Sequence, residues 1–240
     1  HCQCRRQRQM CIRDSLDLAA DIVTGVKFSN AGQICVAPNR VFVAENVKEK
    51  FTEKVVSRAK ASLVGFDKNK DITTGPVIDK RAFQKIKGLI EDAVMNGAKL
   101  LVGGNRPKYL KKGYYISPTV LCDVTEEMQV YQQETFGPIV SLISFSEETN
   151  LLNMANDCDE GGLTAYIFTT NQSRAEFYAS KLRYGEIQIN GVKYDIDLPH
   201  GGIGQSGIGH DCSSLALQDY LIQKRITCSN NTYELGKAIS

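Results

Sequence analysis

An α/β fold built on a largely parallel sheet is the architecture this sequence predicts, for three reasons. Short apolar strand candidates alternate with amphipathic helical stretches along the chain. The 240 residues are 42% hydrophobic, enough to bury one large core or two modest ones. No internal repeat or long low-complexity linker interrupts the alternation.

The elements follow in order. From Asn46 to Leu63, Phe51, Val55, Ala59 and Leu63 recur every four residues and predict one buried helix face. A second helix opens at Asp79, a side chain suited to an N-cap, runs along a stripe of Phe83, Ile86, Ile90 and Val94, and stops at Gly97, which tolerates a left-handed backbone. "KLLVGG" then reads as a short strand, and "YYISPTVL" (114–121), "PIVSLISF" (138–145), "LTAYIFTT" (163–170) and "GEIQIN" (185–190) read as further strands. Helical stretches "NLLNMANDC" and "SRAEFYASKL" separate several of them. After the glycine-rich "HGGIGQSGIGH" (200–210) come a helix-like "SSLALQDY" and a strand-like "LIQKRIT".

Composition narrows the function classes. The formal net charge is +2, with no basic run to bind nucleic acid or an anionic membrane. The longest apolar runs fall well short of the roughly 20 residues that span a bilayer. From Cys35 onward the cysteines stand singly, at Cys122, Cys158, Cys212 and Cys228, a pattern that predicts a reduced, cytoplasmic protein. The opening "HCQCRRQRQMCIRDS" crowds His1, Cys2, Cys4 and Cys11 among arginines in none of the paired spacings of zinc modules; residues 1–14 read as an unstructured or artefactual leader.

Two motifs invite chemistry. "GGIGQSGIG" holds a G-x-G-x-x-G at Gly202, Gly204 and Gly207, yet no strand leads into it and no acidic residue follows at the spacing a dinucleotide site needs. It reads as a tight loop in which glycine permits positive φ and close backbone approach. In "FSNAGQICVAPNR" (28–40), Cys35 sits between a Gly-Gln turn and a proline. A thiol becomes a nucleophile where its thiolate is stabilised or a base is at hand, and from its own residues Cys35 is either a nucleophile or a structural cysteine.

Three segments together decide more. "FSNAGQICVAPNR", "QETFGPIVSLISF" (133–145) and "LPHGGIGQSGIG" (198–209) resemble, in order and separation, the cysteine, E-x-F-G-P and P-F-G-G-x-x-x-S-G-x-G segments of the NAD(P)-dependent aldehyde dehydrogenase superfamily. The resemblance covers about Ser15 to Ser229, leaving 230–240 as a tail. It implies the three-layer catalytic domain of that family, without its Rossmann-type cofactor domain. Cys35 would attack the aldehyde to form a thiohemiacetal, Glu134 would accept hydrogen bonds from the nicotinamide ribose of NAD or NADP, and Phe136 would pack beside the nicotinamide. Ile34, Val36 and His200 would line the substrate pocket.

The departures from the family pattern carry their own expectations. The family's oxyanion asparagine and the glutamate base of its E-L-G-G-K motif lie upstream of the cysteine. The resemblance therefore implies a catalytic half whose partner is the missing N-terminal half, joined as a homo-oligomer when whole and inactive alone. "YELGKAIS" echoes the motif at Glu234 but lies at the wrong end and lacks a glycine. His200 stands where members that take apolar aldehydes carry phenylalanine, which implies a small hydroxylated aldehyde such as lactaldehyde or glycolaldehyde. Ser29 stands where succinate-semialdehyde dehydrogenases carry arginine, which disfavours a semialdehyde acid. The alternatives are a non-catalytic fragment or structural subunit, and a dehydrogenase that transfers the acyl group to coenzyme A or acts on a semialdehyde.

Overall fold

The computed structural model describes residues 2–5, 12–67, 71–146, 148–157 and 161–227. It is organised on a seven-stranded sheet with helices packed against it. The strands are β1 (Cys2–Arg5), β2 (Arg40–Ala44), β3 (Lys99–Val102), β4 (Thr119–Cys122), β5 (Ile139–Phe145), β6 (Gly161–Gly162), β7 (Thr164–Phe168), β8 (Glu186–Ile189) and β9 (Ile203–Gly204). The sheet order is β3-β4-β5-β2-β1-β7-β8; only the β3–β4 pair is antiparallel, and β6 and β9 form a separate antiparallel pair. The expected largely parallel α/β fold is thus observed. Buried strands of a parallel sheet are apolar without alternation, and every residue of β4 and β7 is buried.

Helix α1 (Ile12–Phe28) and helix α2 (Lys48–Ala61) pack on each other and against the strands β2, β4 and β5. In α1, Leu16, Ala19, Ala20 and Val23 are all at most 2% exposed, the spacing of one helix face. Helices α3 (Lys80–Met95), α4 (Gln129–Gln132), α5 (Glu148–Asn156) and α6 (Gln172–Lys181) complete the set. Asp79 is the N-cap of α3, its carboxylate accepting the Ala82 N–H at 2.8 Å, and Gly97 after its end has φ +103°.

Several expectations change. Cys2–Arg5, expected to be leader, pairs in parallel with β2 on one side and β7 on the other, and α1 begins at Ile12. Ladder pairing uses backbone N–H and C=O groups, so a slot between two strands can take a segment whose side chains show no strand pattern. Leu63 lies beyond α2 and is exposed, because Ser62 turns extended and its hydroxyl and N–H take the last-turn carbonyl of Arg58. On α3 the buried stripe is Ile86, Leu89, Ile90 and Ala93, and Val94 has rotated outward, as a 3.6-residue period requires. Residues 214–220 form a 3₁₀ turn that buries nothing, and 221–227 find no ladder partner among the described residues. Glu234, Cys158, Cys228 and the expected tail 230–240 lie outside the described residues, as do the side chains of His1, Cys2, Cys4 and Cys11.

Candidate active site

The chain leaves α1 through a tight reversal, with Asn30, Ala31 and Gly32 all in the left-handed region (φ +48°, +55° and +71°). Gly32 is required there twice over: a Cβ on it would stand 2.2 Å from the Gly137 carbonyl oxygen. The cysteine loop therefore lies backbone to backbone on the "ETFGP" segment. Gln33 fastens the other side, donating to the Asn30 carbonyl at 2.9 Å and accepting the Ile78 N–H at 2.8 Å. Cys35 follows at the crest of the turn, exposed and free.

Two networks support this crest. The buried Tyr166 hydroxyl donates to the Val36 carbonyl at 2.9 Å and stands 3.3 Å from the Tyr194 hydroxyl. Burial pushes both tyrosine pKa values up, so both remain proton donors at neutral pH. On the opposite flank, the Asn39 side chain donates to the Gln133 carbonyl and accepts the Thr135 N–H, each at 2.8 Å, while Lys27 donates to the Thr135 hydroxyl at 2.9 Å.

Cys35 and Glu134 line one cleft of about 800 Å³, together with Gly161, Gly162 and the loop residues Gln205 and Ser206. The glycine loop reaches that wall by backbone contact: β9 pairs with β6, and a Cβ on Gly161 would stand 2.2 Å from the Ile203 carbonyl. These glycines serve close chain approach. Phe136, in a left-handed backbone and 42% exposed, follows Glu134 but does not line the cleft. Ile34 is half-buried beside the cysteine, and Val36 is buried. His200 does not line the cleft: its Nδ1 pairs with Glu186 of β8, whose other oxygen accepts from the Thr164 hydroxyl at 2.9 Å, and its backbone bridges Asp211.

Lys27, Asn39, Glu186 and Tyr194 escaped the reading of the sequence. Lys27 did leave a signal, since it extends the apolar stripe Leu16, Ala20, Val23 at helical spacing, where a cation is out of place. Asn39 left none, because its partners lie 94 and 96 residues away.

Comparison with known proteins bears on the same residues. The aldehyde dehydrogenase family model matches residues 10–226, a span that begins after β1. The chain is 38% identical over 212 residues to succinate-semialdehyde dehydrogenase [NADP(+)] 2 of Schizosaccharomyces pombe, covering 88% of this chain and 43% of that protein. Among solved structures, it superposes on lactaldehyde dehydrogenase from Escherichia coli with a TM-score of 0.80 at 32% identity, covering 85% of this chain and 43% of that one. It likewise matches Mycobacterium tuberculosis aldehyde dehydrogenase complexed with NAD+, with a TM-score of 0.79 at 31% identity over 85% of this chain and 42% of that one. The chain thus spans less than half the length of these relatives. With its cysteine turn seated on the "ETFGP" segment, and a family match from the first helix through the glycine loop, this chain belongs to the aldehyde dehydrogenase family.

Proposed function

We propose that this chain supplies the nucleophile and part of the NAD(P) cleft of an enzyme that oxidises a small aldehyde to its carboxylic acid. The observation that carries the reading is the shared cleft, which the exposed, free cysteine Cys35 and the exposed Glu134 both line. The Cys35 thiolate attacks the aldehyde carbon; a C–S bond forms and the carbonyl electron pair moves to oxygen, giving a thiohemiacetal oxyanion. The Cys35 backbone N–H, without a partner among the described residues, is available to hold that oxyanion. Water releases the later thioester as the acid and restores the thiol.

The cleft fits a dinucleotide's nicotinamide end. Glu134 offers two acceptor oxygens to ribose hydroxyls, and Gln205 and Ser206 of the glycine loop line the same cleft. NAD(P), when bound, supplies the hydride acceptor. Phe136 is the ring we assign to the nicotinamide's flank. On the aldehyde side we assign Ile34, Val36 and the polar group of Tyr194, Glu186 and His200, which supports a small hydroxylated aldehyde. A semialdehyde acid is the second reading, favoured by the name of the Schizosaccharomyces pombe relative, though Ser29 offers a substrate carboxylate no cation. Cytoplasmic location and a homo-oligomer complete the proposal; among the described residues no helix is long and apolar enough to cross a membrane.

The test uses the full-length protein that carries this chain. Cys35→Ala is expected to abolish NAD(P)H formation while leaving dinucleotide binding nearly intact, and turnover surviving that change would overturn the nucleophile. Comparing kcat/KM for glycolaldehyde, lactaldehyde and succinate semialdehyde separates the two substrate readings.

A further inference from the structure

We propose that Lys27 and Asn39 are positioning residues that hold the Glu134 carboxylate in the cleft beside Cys35; the proposal rests on the role given to Glu134 above. Asn39, 7% exposed, bonds the carbonyl of the residue before Glu134 and the N–H of the residue after it. Lys85 takes the Glu134 carbonyl itself at 2.7 Å. Lys27, 1% exposed, takes the Thr135 hydroxyl. The Glu134 backbone is therefore pinned on both sides where this exposed residue lines the cleft.

Lys27 and Asn39 flank Cys35 in the same stretch of chain, eight residues before it and four after. Displacing Glu134 relative to the nucleophile would break these bonds, so the arrangement couples two groups that are 99 positions apart. Stability alone does not call for Lys27. An ammonium buried on a single hydroxyl bond is costly, and an apolar side chain of the same length would fill the space with less desolvation. What the ammonium adds is attraction for the Glu134 carboxylate, which partly offsets the effect of burial on Lys27. A carboxylate whose backbone is pinned on both sides is pre-aligned for a ligand, and misalignment is where rates are lost.

The experiment is a pair of double-mutant cycles in the full-length protein, crossing Glu134→Gln with Lys27→Met and with Asn39→Ala, and adding Asn39→Asp as a near-isosteric variant should Asn39→Ala fail to fold. Lys27→Met is expected to keep or raise Tm, to leave the rate of Cys35 alkylation by iodoacetamide unchanged, and to lower kcat/KM for NAD(P) by about ten- to a hundredfold. In the Glu134→Gln background the same substitutions are expected to cost less than about twofold further, because the group they position has already lost its charge. Full multiplication of the losses, or a fall in activity that only follows a fall in Tm, overturns the positioning role while leaving Glu134 in place. If Glu134→Gln alone matches wild type, the reading of Glu134 fails and the proposal falls with it.

Discussion

Two of the loop-built parts that line the cleft are held in opposite ways. Residues 29–39 and 133–138 are locked to each other and to the core by side-chain bonds that span more than 90 positions. Residues 191–227 also reach the cleft, through Gln205 and Ser206, but leave their apolar side chains uncovered: Ile208 is 103% exposed, Ile222 97% and Tyr220 87%. The first region carries its own order, because the buried side chains of Lys27 and Asn39 bond it across to residues 133–135. The second is tied to the rest of the fold chiefly by the β6–β9 pairing, the His200–Glu186 pair, the Tyr194–Tyr166 hydroxyl contact and the Gln188–Lys193 bonds. Few buried contacts mean low local stability. Cys35 thus sits on the more tightly bonded side, and Gln205 and Ser206 on the side expected to open first.

Glycine substitutions break this contrast most directly. Gly32→Ala forces a Cβ to within 2.2 Å of a carbonyl oxygen at positive φ, and is expected to destabilise the chain by about 2–4 kcal/mol in urea denaturation. Gly191→Ala, whose Cβ would have no neighbour closer than 3.9 Å, is expected to change stability by about 0.5 kcal/mol or less. Similar effects at both sites would show that the cysteine loop is no more constrained than the later segment.

The pH dependence of stability sharpens the rigid side. Burial pulls the Lys27 pKa from 10.5 to about 7, so between those values the unfolded chain binds a proton that the folded chain does not. Stability is therefore expected to rise with pH across that window, and Lys27→Met to flatten the rise. Urea midpoints at about pH 7 and 9 check this below the range where the raised tyrosines Tyr131, Tyr166 and Tyr194 act in the opposite sense. An unchanged slope in Lys27→Met would place the titration elsewhere.

His200→Phe probes the looser side. Losing the Glu186 partner should lower kcat/KM for lactaldehyde or glycolaldehyde by about tenfold in the full-length protein, with a relative gain for propanal. A parallel fall for both substrates would mean that His200 only braces the glycine loop, and would remove the basis for a hydroxylated substrate. The smallest effect is expected from Ile222→Ser, within about 0.5 kcal/mol of wild type in this chain, since the side chain it shortens is already in solvent. Limited proteolysis should meanwhile cut within 191–227 before it cuts within 133–145.

How far the sequence alone reaches can be judged residue by residue. Asp79 as a cap, Gly97 as a stop, and the apolar runs that became β5 and β7 were legible, because each depends on groups within about one helical turn or on a short run of buried residues. The three segments that resemble the family singled out Cys35 and Glu134 together, and the structure places both on one cleft. Strand β1 was not legible, since its pairing is a backbone matter, nor was α1, whose stripe is interrupted by a lysine.

What the sequence determined by itself is the alternation of strands and helices, the Asp79 cap and the Gly97 stop, and Cys35 placed between a Gly-Gln turn and a proline. The tertiary structure decided the rest: strand order, which sets β2 beside β5; the meeting of Gly32 with Gly137; and the burial of Lys27 and Asn39 against residues 133–135. The physical reason is range. Periodicity and capping are interactions between near neighbours in the chain, whereas the aim of Glu134 depends on hydrogen bonds to residues some hundred positions away, which exist only once the sheet has brought the two loops together.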